Sequence, residues 1–310
     1  MHEHIARAMY YFSVHLLFAS IVASAAWVLT SIRGPSATTK YWIWVVTALN
    51  FALPVGAFID KLWAPHFTWA RPLGAIGGPI WDLTEGRRAV VFALIWISGT
   101  LFMLVRLISR LRTEWRGSHA SARPQNLGVR SDFVTDGIAV SFDQNDLTPA
   151  VRGVLYPRVL LPVDIEQLLN PREFHAVLIH ELAHARRRDN LIRLLYEASL
   201  CVLWFHPLMW LIGARIGLYR ELSCDESVIR RAHGHALVSA LAKLAVPKQA
   251  GVLQATASSH LSYRLARLAE PPPTSYSTAS LLMTALFAVV MAAGIFQTIA
   301  HTACCFLLKH

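Results

Sequence analysis

Charge is what this sequence has least of. Only 15% of its 310 residues are Asp, Glu, Lys or Arg, against about 25% in a soluble globular protein. With 55% hydrophobic residues, ten Trp and a mean hydropathy of +0.42, that shortage excludes an ordinary soluble enzyme. Acidic residues are scarcer than basic ones, 19 against 29, for a net charge of +10. A basic surplus can serve nucleic acid. Here no nucleic-acid-binding motif accompanies it, and much of the Arg and Lys stands beside apolar runs, where membrane proteins keep cytoplasmic charge. Cysteine is also scarce. The four, at 201, 224, 304 and 305, have no paired metal spacing and no disulfide framework. Cys201 and Cys224 read as small buried apolar residues, and the state of Cys304 and Cys305 is left open. There is no internal repeat.

Long apolar runs are what the sequence does have. Tyr10–Ile32 holds 23 residues without a charge, enough to cross a hydrocarbon core of about 30 Å. A cleaved signal peptide is the rival, since Ala23-Ser-Ala25 is small. However, the leader is barely basic and the run continues past Ala25. His15 inside it reads as a packed polar group rather than a ligand. A short link over 33–40 leads to a second run over 41–59, which contains Pro54, tolerated where neighbours satisfy the freed carbonyl. The loop at 60–88 carries Trp63, Trp69 and Trp81, residues suited to a membrane interface. A third run covers 89–108, and the Arg106 head group can snorkel from its end. A fourth covers 279–300, followed by a short tail at 301–310. Six Arg between 106 and 130 mark the cytoplasmic side. Counting back, the amino terminus and the 60–88 loop fall outside, with Arg87 and Arg88 arguing weakly the other way. The expected organisation is a membrane region over 1–110, a cytoplasmic domain over 111–278, the fourth span and the tail.

Within 111–278, residues 118–125 read as a linker. Phe133–Thr135, Ile138–Phe142 and Val154–Leu161 have β character, broken by Gly137, Asn145 and Pro149. Pro157 reduces the last run to an edge strand or two short pieces. Asn170-Pro171-Arg172-Glu173 is a strong helix start: an Asn cap, Pro at the first helical position and Glu three residues after the cap. The helix it opens carries His180-Glu181-Leu182-Ala183-His184. Two His four apart share one helix face and can reach one metal ion. Glu181 lies beside them and can approach the attacking water as a general base. The plain alternative is two surface His that happen to be four apart. Residues 199–214 form an apolar stretch broken by Pro207, read as a helix pair in the core or against the membrane, with a re-entrant hairpin as the variant. The next helix carries Glu221, 41 residues after His180, and Asp225 one turn on. A catalytic zinc needs a third protein ligand and an open position, and Glu221 is the economical candidate. Asp225 can accept a hydrogen bond from the outer nitrogen of a ligating His. The plain alternative for both is a solvated acidic face. A short helical piece is expected at 261–268, in a linker bracketed by Pro247 and Pro271–Pro273.

The pieces Gly153–Pro162, His180–Asp189, Trp204–Trp210 and Glu221–Glu226, in this order and spacing, resemble the BlaR/MecR family of membrane zinc metallopeptidases. The layout of three spans, cytoplasmic protease and fourth span matches as well. The resemblance implies a mostly α membrane protein: four transmembrane helices with an inserted α+β gluzincin-like domain. It also implies one zinc ion bound by His180, His184 and Glu221, with Glu181 as general base and Asp225 behind a ligand. The set of two His and a carboxylate suits zinc best among divalent metals. The implied place is a bacterial inner membrane. The implied substrate is a cytoplasmic protein, a transcriptional repressor in the family, with self-cleavage between Pro247 and Ser277 as the second option. The best-known relatives continue past the fourth span into a penicillin-binding sensor domain. This chain stops at His310, so a β-lactam receptor role is not carried over.

A substrate is expected to add a strand to the edge near Val154–Leu161, so that Tyr156→Pro slows cleavage. Tyr219, His233 and His235 are candidate oxyanion donors. Arg186–Arg188 suit lipid phosphates and favour a site at the membrane surface over an intramembrane protease. A non-catalytic adaptor or sensor with a structural zinc is the rival from another class, and a metal-free four-span scaffold the plainest one. Inducing signal, cleavage site and oligomeric state are left open.

Overall fold

The computed structural model describes residues 2–32, 35–53, 86–121, 133–135, 137–143, 148–244, 264, 265, 267, 268, 278, 280, 282–289, 291 and 292. Among these the chain is mostly helical, with one small sheet. Helices α1 (His2–Ser31), α2 (Ala37–Ala52) and α3 (Gly86–Ser121) come first, then strands β1 (Phe133–Thr135), β2 (Ile138–Asp143), β3 (Ala150–Arg152) and β4 (Arg158–Pro162). Helices α4 (Ile165–Leu168), α5 (Pro171–Arg187), α6 (Asp189–Val202), α7 (Pro207–Ile229) and α8 (Gly234–Leu244) follow.

The apolar runs behave differently from one another. The first lies within α1 except for Ile32, and the third lies within α3. Only α2 of the second run is described, and of the fourth run only helical residues between 280 and 292. The 60–85 part of the Trp-rich loop and Cys304–Cys305 lie outside the described residues. One described helix is long and apolar enough to cross a membrane: Val90–Glu114, 25 residues of mean hydropathy 2.2 and unburied throughout its most apolar window. The helix α3 continues to Ser121, so residues 118–121 are helix rather than linker. Helix α2 is 16 residues, about 24 Å at 1.5 Å per residue. It is apolar all round: Tyr41, Trp44 and Phe51 are buried while Trp42, Val46 and Leu49 are exposed. A helix without a polar face needs protein on one side and an apolar surround on the other.

Two cores result. Buried residues of α1, α2, α6 and α7, with Met283 and Phe287, form the first. The sheet, α5, α8 and Leu268 form the second. Helix α7 serves both, with Met209, Ile212 and Ile216 in the first and Val228 in the second. The 199–214 stretch is accordingly a helix end, a turn and a helix start, with Leu200, Leu203 and Met209 packed in the first core. Glu221 lies on α7 where it passes from one core to the other. Helix α3 docks on α6 and the turn beyond it. Trp96 Nε1 donates to the Val202 carbonyl (2.8 Å), Trp204 Nε1 donates to the Trp96 carbonyl (3.3 Å), and Arg110 pairs with Glu197. A Cβ on Gly99 would meet the Trp204 ring at 2.2 Å, so the close approach of α3 depends on glycine there.

The sheet runs β1-β2-β4-β3, with β2 and β4 parallel and the outer pairs antiparallel. This corrects the expected edge. Strand β4 starts only after Pro157, which cannot donate to a ladder, and it has a neighbour on both sides. Leu155 and Tyr156 pair with no strand and are exposed, Tyr156 at 87%. The strand at that border of the sheet is β3. The carbonyls of its Val151 and of Gly153 just after it accept from Asn190 Nδ2 at 2.9 and 3.1 Å. The β3–β4 turn depends on Gly153, with φ +91° and a Cβ position 2.4 Å from the Tyr156 carbonyl oxygen. Gly153→Ala is expected to cost about 1–3 kcal/mol of stability, the range for a side chain forced into a rare backbone conformation. Thermal unfolding of the purified variant measures it.

Candidate metal centre

The helix that carries the two His begins where its sequence says it should. Asn170 Oδ1 accepts from the N–H groups of Arg172 (3.0 Å) and Glu173 (2.9 Å), and Glu173 Oε2 accepts from the Asn170 N–H (2.9 Å). This reciprocal cap, with Pro171 first in the helix, sets the phase of α5. Glu173 also accepts from Ser239 and Lys243 of α8. One face of α5 then packs Ala176, Val177 and Leu182 into the second core, and His180 and His184 come together on the side toward α7.

Nε2 of His180 and Nε2 of His184 lie 3.2 Å apart. Oε2 of Glu221 is 3.7 Å from the first and 3.8 Å from the second. Behind each imidazole stands a carboxylate. Asp225 Oδ1 is 3.2 Å from His180 Nδ1, an ion-pair distance without the alignment of a full hydrogen bond. Asp189 Oδ2 is 2.6 Å from His184 Nδ1. With both Nδ1 atoms facing carboxylates, the tautomer that puts the proton on Nδ1 is favoured, and both Nε2 lone pairs point at each other and at Glu221. Three such atoms converging need positive charge between them, a proton on one Nε2 or a metal ion in its place. A tetrahedral ion with zinc–nitrogen bonds of about 2.0–2.1 Å would hold two nitrogens about 3.4 Å apart, close to the spacing found. The three residues fit a metal ion.

The electrostatics agree. Burial opposes charge on His180, but the acceptors Asp225 and Glu221 outweigh it and push its pKa up to about 9, so that a proton holds the place a metal ion would take. Burial would raise Glu221, yet His180, His184 and Arg220 hold its carboxyl well below the usual range. Burial is likewise outweighed at Asp225 by Arg264 and His180, and at Asp189 by Arg187 and His184. These carboxylates are ionised and arranged around a place where positive charge belongs. A second grouping, His184 with Asp189 and Cys224, does not fit an ion. Both Asp189 oxygens already accept from Arg187 (2.7 and 2.5 Å), Arg187 Nη2 lies 3.1 Å from Cys224 Sγ, and burial keeps that thiol protonated.

The site opens into a cleft of about 450 Å³, lined by Glu181, Val151, Asn190, Arg193, Arg220 and Arg264 among others. Glu181 thus reaches the same space as the two His. The oxyanion candidates are elsewhere. Tyr219 donates to the Thr30 carbonyl at 3.3 Å, and His233 meets His175 edge to face with ring centres 5.1 Å apart. Neither these two nor His235 lines the cleft.

Several residues of the site escaped the sequence reading. Arg187 does not face lipid: it is 12% exposed, pairs with Asp189 and lies over the Tyr41 ring at 4.4 Å. Asp189 comes back onto His184 because Arg188, in the left-handed region at φ 54°, bends the chain sharply between α5 and α6. Arg264 donates to both oxygens of Asp225 at 2.8 Å and sits 3.3 Å from Glu221 Oε2. The expected helical piece at 261–268 located Arg264, but no local pattern marked it as a partner. For Asp189 the signal was its place five residues after His184.

This geometry belongs to a known group. The profile of the family described as BlaR1 peptidase M56 matches residues 81–268. That match covers more than half of the chain and includes both His, Glu181, Glu221 and Asp225. The chain belongs to the BlaR1 peptidase M56 family. Relatives of the M56 chain include the methicillin resistance mecR1 protein of Staphylococcus aureus, 24% identical over 149 residues, 46% of this chain and 26% of the relative. The mecR1 protein of Staphylococcus epidermidis matches to the same extent. The regulatory protein BlaR1 of Bacillus licheniformis is 28% identical over 228 residues, 62% of this chain and 37% of the relative. The M56 chain therefore spans about a quarter to three-eighths of the length of these curated relatives.

Proposed function

We propose that this M56 chain is an integral-membrane zinc metalloendopeptidase that cuts a cytoplasmic protein as a step in signal transduction. The substrate is a transcriptional repressor, by likeness to the regulatory relatives, or the chain itself between Pro247 and Ser277. Four helices, at about 10–32, 41–59, 89–108 and 279–300, cross a bacterial inner membrane, and the 111–278 domain faces the cytoplasm. The exposed apolar surfaces of α1, α2 and α3 support that placement. So does Arg110, near the end of the one described helix of spanning length, in the Arg-rich stretch.

One observation carries the reading: two imidazole lone pairs and one carboxylate converge beside Glu181 in an open cleft. His180, His184 and Glu221 would hold one zinc. Bound there, zinc supplies Lewis acidity to a water and to the scissile carbonyl. The residues do the rest. Glu181 takes the water's proton and passes it to the leaving amine. Asp225 and Asp189 keep the imidazoles turned toward the ion. The peptide lies in the cleft along β3, beside Asn190, which fixes the position of that strand.

The test is metal uptake. Chelator-stripped protein should take up one zinc per chain. Glu221→Ala should weaken uptake by more than about a hundredfold, beyond the range of substitutions behind the ligands. Equal affinity in Glu221→Ala would remove Glu221 from the site, and no uptake by either protein would remove the zinc.

A further inference from the structure

Helix α2 precedes the residues that the family profile matches, yet among the described residues it packs extensively on α7. Its buried face is not only apolar. Tyr41, fully buried, donates its hydroxyl to Asp189 Oδ1 at 3.0 Å, while the other Asp189 oxygen holds His184 Nδ1. Three residues earlier, Thr38 joins a continuous relay. Arg187 Nη1 donates to Ser223 Oγ (2.5 Å), Ser223 Oγ lies 2.8 Å from Thr38 Oγ1, and the Thr38 hydroxyl and N–H both donate to Glu226 Oε2 (3.2 and 3.3 Å). Ser223 and Glu226 are on α7, between and beside Glu221 and Asp225. The α2 face therefore meets both sides of the metal centre: the Arg187–Asp189 pair behind His184 and the helix that carries Glu221.

We propose that Tyr41 is a positioning residue for the metal centre, holding Asp189 so that His184 presents Nε2 to the ion, with Thr38 as a second tie through Ser223 to Arg187. This rests on the zinc reading above. The chemical reason is that Asp189 must divide two oxygens among a guanidinium, an imidazole and a phenol. Arg187 already reaches both oxygens, so the phenol is the further donor that fixes the tilt of the carboxylate; without it Asp189 can rock on the Arg187 fork and loosen its bond to His184. A packing role alone would be met by phenylalanine, which fills nearly the same volume.

The full-length protein, in detergent or lipid nanodiscs, is titrated with zinc against a chelating dye. Tyr41→Phe is expected to bind zinc about tenfold more weakly, at the lower end for groups behind a ligand. It should lower kcat with KM unchanged and leave melting of the zinc-free protein where it was. Thr47→Val is the control: among the described residues its buried hydroxyl bonds only within α2, to the Ile43 carbonyl at 2.7 Å, and zinc affinity should stay the same. Thr38→Val should weaken zinc and Thr38→Ser restore it, a pair that serves if Tyr41→Phe does not accumulate. Zinc affinity in Tyr41→Phe equal to the unmutated protein overturns the proposal, as does an equal loss in Thr47→Val. If the unmutated protein takes up no zinc, the zinc reading fails first and the proposal with it, an outcome distinct from both.

Discussion

Replacing Glu181 with Gln should leave zinc uptake unchanged and lower peptide cleavage by about 10²–10⁴-fold, the range for a positioned general base. Gln keeps the size of the side chain and its hydrogen bonding but has no basic oxygen for a proton. Zinc uptake should not move, because the converging atoms belong to His180, His184 and Glu221 and not to Glu181. The effect should appear in kcat and kcat/KM alike, since a proton transfer is made only on the way to the transition state. Purified protein and the Glu181→Gln variant are compared for zinc content, self-cleavage and cleavage of a co-expressed repressor. If both bind zinc and neither differs from the other in cutting or in cells, the chain is an adaptor with a structural zinc.

Arg187→Leu should be the most destabilising single change near the site. The side chain is 12% exposed and its partner Asp189 4%. Removing the guanidinium leaves a buried carboxylate with only Tyr41 and His184 for neighbours. Stranding one partner of a buried pair costs about 3–5 kcal/mol. The guanidinium is also bonded to Ser223 Oγ and the Arg220 carbonyl, so α5 and α7 would lose one of their direct ties and zinc binding should fall with stability. A lipid-facing arginine would show neither effect beyond about 1 kcal/mol. Thermal unfolding and zinc titration of Arg187→Leu and Arg187→Lys decide it. Lys should recover part of the stability but not all, because one ammonium cannot replace a planar fork that reaches Asp189, Ser223 and the Arg220 carbonyl together.

Features set by neighbouring residues are legible in the sequence. The cap at Asn170, the shared face of His180 and His184, the β character of 133–142 and the helical piece holding Arg264 all depend on residues within a turn or two of each other. The edge of the sheet was misplaced for the opposite reason. That β4 has neighbours on both sides follows from its parallel pairing with β2, and strands far apart in sequence leave no local sign of which lies outside. Three arginines in a row look like a charged surface, which hides the inward place of Arg187. Only the turn at Arg188 and the packing of α2 distinguish the one that points inward.

The sequence by itself determined a charge-poor, apolar chain and the helix that sets two imidazoles and a carboxylate on adjacent positions. It also put Glu221 and Asp225 one turn apart, because periodicity and capping act over a few residues. Only the tertiary structure decided which carboxylate stands behind which imidazole and that Arg264 clamps Asp225. It alone decided that Tyr41, 148 residues from Asp189, reaches the same site. Those contacts form when two cores close on a shared helix, and a polar group can be buried there only where a partner from elsewhere in the chain arrives to meet it.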